Sequence, residues 1–369
     1  MYLMKQSSIY LHIYEKYKKN FFVSFILSIA SVFFFIAYKL RIFLYKIKLI
    51  KTHSLPAYII SIGNITSGGT GKTPFTIECA KYFINQGYKV AILSRGYKRN
   101  IKNSNGVTLV SDGSDILVDD YEHCGDEPYL IAKKAPKAIV IVGKNKIKTS
   151  KAAIKVGAEV LILDDGFQYL KLNRNENIVM LDSYNPFNSM HLLPKGKLRE
   201  LPDSLHRATA IVISNTDRKK LNENDLNTIK KYAPNTPILE IGYKISELNG
   251  INTKRVLNIN QVKGLQVLAC CGIANPVSFF ELLESYEIKV IHKLIYPDHY
   301  AYTTNDIETM IKVAKEKNTE NIIVTEKDTV KIKDFCEAAP ITLWSAKLEV
   351  IINNEVFENI FKNKEKVKI

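Results

Sequence analysis

Hydrophobic residues are placed by one rule in the first fifty positions and by another in the rest of the chain. Residues 21–38, FFVSFILSIASVFFFIAY, run without a charge and lack the polar stripe of a helix lying on a soluble core. As a helix this run would be about 27 Å long, close to the hydrocarbon thickness of a bilayer. Beyond it, apolar residues fall in runs of four to six, separated by segments of helical repeat. Residues 89–94, 138–142, 160–163, 178–181 and 210–213 predict strands, and residues 76–86 and 150–156 predict helices between them. That alternation specifies an α/β fold, a parallel sheet covered on both faces, with ligands at the carboxyl ends of its strands. A second, smaller α/β set follows, with strands at 265–270 and 321–325 and a helix at 277–285. The expected organisation is a basic segment with an apolar helix (1–52), a core (53–238), a linker (239–262) and a smaller domain (263–369) whose terminal segment returns to the core. Within and beside the linker, residues 238–243 and 255–259 are expected to pair as a two-stranded hinge.

Charge sharpens the reading of the first segment. The 369-residue chain carries 52 Lys and Arg against 37 Asp and Glu, a net +15, with 46% hydrophobic residues. This is a globular rather than a disordered composition. Residues 1–51 hold nine basic side chains against Glu15 alone, so the excess flanks the apolar run. A nucleic-acid reader would carry it on a folded docking face, and none is expected here. Lys16, Lys18 and Lys19 on one side and residues 39–51 on the other favour a membrane anchor with a cytoplasmic body, the cations lying near anionic head groups. A cleaved signal peptide and a buried core helix are the competing readings of the run. Five cysteines, Cys79, Cys124, Cys270, Cys271 and Cys336, form no C-x-x-C pair and are odd in number. They argue against a disulfide framework or zinc ribbon and for a reducing compartment.

The chemistry sits where the pattern predicts strand ends. After an apolar strand closing at Gly63 comes Thr66-Ser67-Gly68-Gly69-Thr70-Gly71-Lys72-Thr73, which matches the nucleotide-binding phosphate loop G-x-x-x-x-G-K-[ST] with Thr66 in place of the first glycine. The glycines let backbone amides turn onto phosphate oxygens, Lys72 reaches the β and γ phosphates, and the Thr73 hydroxyl is placed for Mg²⁺. Pro74 sits in the first helical turn, where it removes no bond. The strand at 160–163 runs into Asp164-Asp165-Gly166, paired acids placed to hold or orient a metal ion; a solvated turn is the alternative. Arg95, after another strand, is a candidate for phosphate or substrate oxygens. Gly125-Asp126-Glu127-Pro128 opens a helix, and simple capping explains those acids equally well.

Eight blocks in order are similar to the tetraacyldisaccharide 4'-kinase family, the lipid A 4'-kinases. They are residues 62–74, Ser94-Arg95-Gly96-Tyr97, residues 125–128, Asp164-Asp165-Gly166-Phe167-Gln168, residues 193–200, Pro297-Asp298-His299 and residues 324–328, together with the N-terminal apolar helix. The resemblance implies an ATP- and Mg²⁺-dependent transfer of the γ-phosphoryl group to the 4'-hydroxyl of an acylated glucosamine disaccharide 1-phosphate at the inner membrane, on its cytoplasmic side. It implies Asp126 as general base paired with His299, and Lys72 as the charge stabiliser. Thr73, Asp164 and Asp165 are implied around the metal, with Arg95, Tyr97, Glu127, Gln168 and Glu200 in support. Because the dyad's members fall on different units, closure upon substrate binding is expected to bring them together. Two positions depart from the family pattern: Tyr169 stands where His is common, and Tyr300-Ala301 where His-Pro often follows. The rival class is a membrane-associated nucleotide switch or partition-type ATPase, for which Asn215 and Asp217 after a strand resemble a guanine-reading loop. Lys327 and Asp328 receive no role.

Overall fold

Short runs of β-branched and aliphatic residues ending in Gly, Ser or Asp make the central strands of this computed structural model, which describes residues 20–97, 106–118, 120–332 and 340–361. The basic flank at Lys16, Lys18 and Lys19, residues 98–105, Cys336 and the tail from 362 lie outside the described residues. Strand β1 (Tyr58–Gly63) is buried along its whole length and pairs in parallel with β5 (Val160–Asp164) and β6 (Glu176–Asp182). Outward from these lie β2 (Val90–Ser94), β4 (Ile139–Val142) and the antiparallel edge β3 (Thr108–Asp112) on one side, and β7 (Ala210–Ser214) on the other.

Strand β8 (Ile238–Gly250) is the structural joint. Its first residues pair in parallel with β7, Ile211 opposite Ile238, whereas Ile241 to Gly250 pair antiparallel with β13 (Thr342–Ile352). Strands β10 (Gln266–Cys271), β11 (Lys289–Ile295) and β12 (Asn321–Thr325) then run parallel to β13. This single antiparallel step reverses the second set, so the carboxyl ends of β10 and β12 point back toward those of β1 and β5. The hinge pairing expected for residues 238–243 is displaced. Strand β9 (Val256–Asn258) pairs instead with Glu247 to Asn249, because residues 238–243 are held by β7 and β13.

Ten helices complete the described residues: α1 (Phe21–Lys46), α2 (Lys72–Asn85), α3 (Tyr121–Cys124), α4 (Asp126–Lys134), α5 (Lys146–Lys155), α6 (Glu223–Tyr232), α7 (Pro276–Ser285), α8 (Thr304–Glu316), α9 (Glu326–Ile332) and α10 (Asn354–Ile360). The last returns to the first unit, where Phe357 and Phe361 lie edge-on to Phe75, Tyr82 and Phe83 of α2 at ring distances of 5.1–5.8 Å. Helix α1 is capped by the Asn20 side chain and buries none of its residues. Phe21, Phe22, Phe33 and Val32 are all more than half exposed. Its other face touches the body through Ser31, which donates to the Leu192 carbonyl at 3.0 Å and accepts from Lys195 N–H at 3.1 Å, and through Lys39 with Asp203.

Candidate active site

The phosphate loop is held from below and behind. Asn64 donates to Thr70 Oγ1 at 3.2 Å, and Ser67 N–H donates to the Lys197 carbonyl at 2.6 Å. Gly71, the residue before Lys72, has φ 75°. A Cβ there would stand 1.8 Å from the Tyr243 hydroxyl, so both backbone and space demand glycine. Helix α2 starts at Lys72, which aims its amino end and amides at the cavity. That cavity, about 650 Å³, lies between the facing strand ends; the loop, Arg95, Asp164 and His299 are on its wall.

Asp164 ends β5 almost fully buried. Ser94 Oγ donates to its Oδ2 at 3.1 Å, and Oδ1 has no partner. Burial and the neighbouring Glu127 push its carboxyl up to about 6, against the pull of Lys146. Lys146 itself is buried beneath, donating to the Leu93 carbonyl and to the Asp164 carbonyl, the latter at 3.0 Å; burial lowers its ammonium to about 8. Asp165 adopts a left-handed φ of 53° and meets Arg199 through both oxygens at 2.9 Å, with Lys72 at 3.6 Å. Burial works against the Asp165 anion, yet Lys72 and Arg199 hold its carboxyl below the usual range. A magnesium ion fits this donor set. Asp164 has an orphaned buried carboxylate oxygen and lines the same cavity as Thr73, and Mg²⁺ takes one or two carboxylates and completes its shell with water and nucleotide oxygens. Among the described residues no three acidic, His or Cys side chains converge to hold a cation alone.

Opposite stand the acids of α4. Gly125, at φ 101°, turns the chain between α3 and α4, and a Cβ there would press on the Tyr97 carbonyl at 3.0 Å. Asp126 thereby occupies the first turn of α4, its Oδ1 accepting from Glu127 N–H at 2.9 Å. His299 reaches it from the second unit, with Nδ1 2.9 Å from both Asp126 oxygens. The contact joins the two units directly at this corner. His299 itself sits at φ 56°, a conformation that costs a non-glycine residue about 1–2 kcal/mol. Burial opposes the charge on Asp126, but the hydrogen bond from His299 and the Lys327 cation take its carboxyl down to about 2.

Lys327, at the start of α9, lies at the centre of this corner. Its Nζ is 3.0 Å from Glu127 Oε1, 3.1 Å from Asp298 Oδ1 and 3.3 Å from His299 Nε2. Burial disfavours its charge, yet Glu127, Asp298 and Asp126 raise it above the ordinary lysine value. Asp328 is an internal brace: it accepts from Gly272 N–H, Tyr302 and Thr325 and pairs with buried Lys331. Of the predicted residues, Gly68 to Thr73, Arg95, Tyr97, Glu127, Asp164, Asp165 and His299 surround one cavity, with Asp126 buried against His299. Thr66, Ser67, Gln168 and Glu200 do not line it. Gln168 donates to the Asn64 carbonyl at 2.9 Å behind the loop, and Glu200 is buried against Arg207. Asn215 is likewise engaged, donating to Asp182 at 2.9 Å and accepting from Arg218 at 2.6 Å. Its amide is therefore used within the protein rather than offered to a base.

Comparison with known proteins identifies what the chain is similar to. The family model described as tetraacyldisaccharide-1-P 4'-kinase matches residues 23–366. The tetraacyldisaccharide 4'-kinase of Halothermothrix orenii is 36% identical over 352 residues, 90% of each chain. That of Desulfotalea psychrophila is 37% identical over 329 residues, 88% of this chain and 92% of its own. Among solved structures, the "apo" form of LpxK from Aquifex aeolicus in complex with ATP superposes with a TM-score of 0.70 at 28% identity, covering 90% of this chain and 97% of that one.

Proposed function

The chain belongs to the tetraacyldisaccharide-1-P 4'-kinase family, and from that premise we propose that the cleft between its opposed strand ends carries out phosphoryl transfer between an ATP and a lipid held on opposite walls. The enzyme is a kinase that phosphorylates the 4'-hydroxyl of an acylated disaccharide 1-phosphate, a step in making lipid A. ATP phosphates lie along the amides of Gly68, Gly69 and Gly71, with Lys72 placed to stabilise charge on the transferring group. Asp164, Asp165 and Thr73 would hold Mg²⁺, which neutralises β and γ oxygens when bound. Arg95 and Tyr97 line the acceptor side. The sugar hydroxyl attacks the γ phosphorus as the bond to the ADP oxygen breaks, and its proton passes to the Asp126–His299 pair. A carboxylate this acidic is a weak base, but a loose transition state releases the hydroxyl proton late, so positioning matters more than basicity.

The exposed apolar face of α1 lies in the inner membrane, with the catalytic units on the cytoplasmic side. The lipid's acyl chains then stay in the bilayer while its head group enters the cleft. The nucleotide-switch alternative is not favoured, given the family and the internal engagement of Asn215.

The observation that carries this reading is the contact of Asp126 with His299, a carboxylate and an imidazole from two units meeting beside the phosphate loop. Its test is incubation of the purified protein in detergent micelles with ATP, Mg²⁺ and an acylated disaccharide 1-phosphate, followed by mass spectrometry. The wild type gains one phosphate per lipid, and Lys72→Ala and Asp126→Ala lose product by about 10²-fold or more. Lipid-independent ATP hydrolysis without lipid product would overturn it.

A further inference from the structure

Nothing in the sequence gave Lys327 a part, yet its ammonium touches three of the groups that surround the dyad. It is 3.0 Å from Glu127, 3.1 Å from Asp298 and 3.3 Å from the Nε2 of His299. A lysine ammonium has three donors and no acceptor. Two carboxylates hold it charged in a half-buried corner where an unpaired cation would be costly. Toward His299 it can therefore only donate, which requires a lone pair on Nε2. A neutral imidazole with its lone pair on Nε2 carries its proton on Nδ1, and Nδ1 is the nitrogen 2.9 Å from both oxygens of Asp126.

We infer that Lys327 is a positioning residue that fixes His299 in the neutral Nδ1–H tautomer, the form in which the imidazole donates to Asp126 and leaves that carboxylate to receive the acceptor's proton. The inference rests on the reading of Asp126 and His299 given above and divides the labour within that pair. With Nε2 engaged, the imidazole has no vacant site for a second proton; it orients the carboxylate by donating to it. The proton leaving the sugar hydroxyl ends on an Asp126 oxygen, and His299 changes neither protonation nor charge in that step. The groups facing His299 are Asp126 and Glu127 from α4, its neighbour Asp298, Lys327 from α9, and the Tyr97 ring at 5.1 Å. Lys327 is a cation within hydrogen-bonding distance of Nε2, so its removal takes that donor and its charge away from the imidazole.

The first test needs no turnover. Nitrogen NMR of the full chain in micelles, selectively labelled at histidine and assigned by loss of a signal in His299→Asn, reads which ring nitrogen of His299 carries hydrogen. Protonated Nδ1 with bare Nε2 is the expected signature; a protonated Nε2 overturns the inference. The second test compares pH profiles. In Lys327→Met, Nε2 is open to protonation, so the acid limb of kcat moves up by roughly one to three pH units, as expected for loss of a neighbouring cation. Activity lost at neutral pH then returns as pH rises, while KM for ATP stays within about twofold. Lys327→Arg, which keeps the cation and its donors, retains the wild-type profile. A pH-independent loss in Lys327→Met would mean a merely structural lysine and sink the idea. Failure of the tautomer test while wild type still forms lipid product and Asp126→Ala does not leaves the kinase reading intact and removes only this inference.

Discussion

Asp126 shows how a single residue's surroundings set its chemistry. It lies at the amino end of α4, accepts from His299 and faces Lys327, so its carboxyl falls to about 2 despite burial. An unfolded aspartate titrates near 3.9. Because the folded value is the lower one, the stabilisation is complete above about pH 4 and disappears as pH falls through about 2. Thermal unfolding of the wild type and Asp126→Asn between pH 6 and pH 2.5 should show a gap that is constant down to about pH 4 and narrows below it. A gap that stays constant to pH 2.5 would mean that the carboxylate is not held by these partners. Residues whose role is local were legible in the sequence. Lys72 and Thr73 follow glycines within a few positions, and Asp164 and Asp165 end an apolar run. Lys327, Lys146 and Arg199 were not, because their partners are remote in the chain: Lys327 meets Glu127 across 200 positions, and no short motif records that.

Among the elements, α1 stands apart because its apolar surface is turned outward along 26 residues. Its contacts with the body are made by polar atoms of Ser31, Lys39 and Arg41 and by Phe34, which packs against the core. The opposite face, with Ile29 and Phe33, is exposed among the described residues. A paired substitution Ile29→Glu and Phe33→Glu places two charges in that face, each costing about 2.5–3.5 kcal/mol near a bilayer centre. In flotation with vesicles containing anionic lipid, the wild type should rise with the lipid and the double variant should remain below. Equal flotation of both would contradict a membrane role for this face. The central strands were readable because they are buried on both faces and uniformly apolar. Strand β11 was not, since Lys289, His292 and Lys293 interrupt an edge strand. The length of β8 was also hidden: Glu240, Gly242 and Lys244 read as a linker, and only pairing with β7 and β13 makes the segment continuous.

At the scale of the whole molecule, one antiparallel step between β8 and β13 turns two parallel sets to face each other. The phosphate loop and the acids at 164 and 165 lie on one side of the resulting cleft, and His299 and Lys327 come from the other. Lys134 of α4 pairs with Glu326 of α9 at 2.6 Å, beside the Lys327–Glu127 contact, so α4 and α9 are tied at two points. Sequence blocks placed candidate residues on both units, but not the long-range ion pairs that join α4 to α9. The claim that the two units share one proton-accepting device is tested most directly by a double-mutant cycle of Asp126→Ala and His299→Ala, with kcat for lipid phosphorylation and ATP affinity measured for all four proteins. If the pair acts as a unit, ATP affinity is preserved throughout, and the double variant loses no more in kcat than Asp126→Ala alone. Losses that multiply, or an Asp126→Ala enzyme with wild-type kcat, would contradict it.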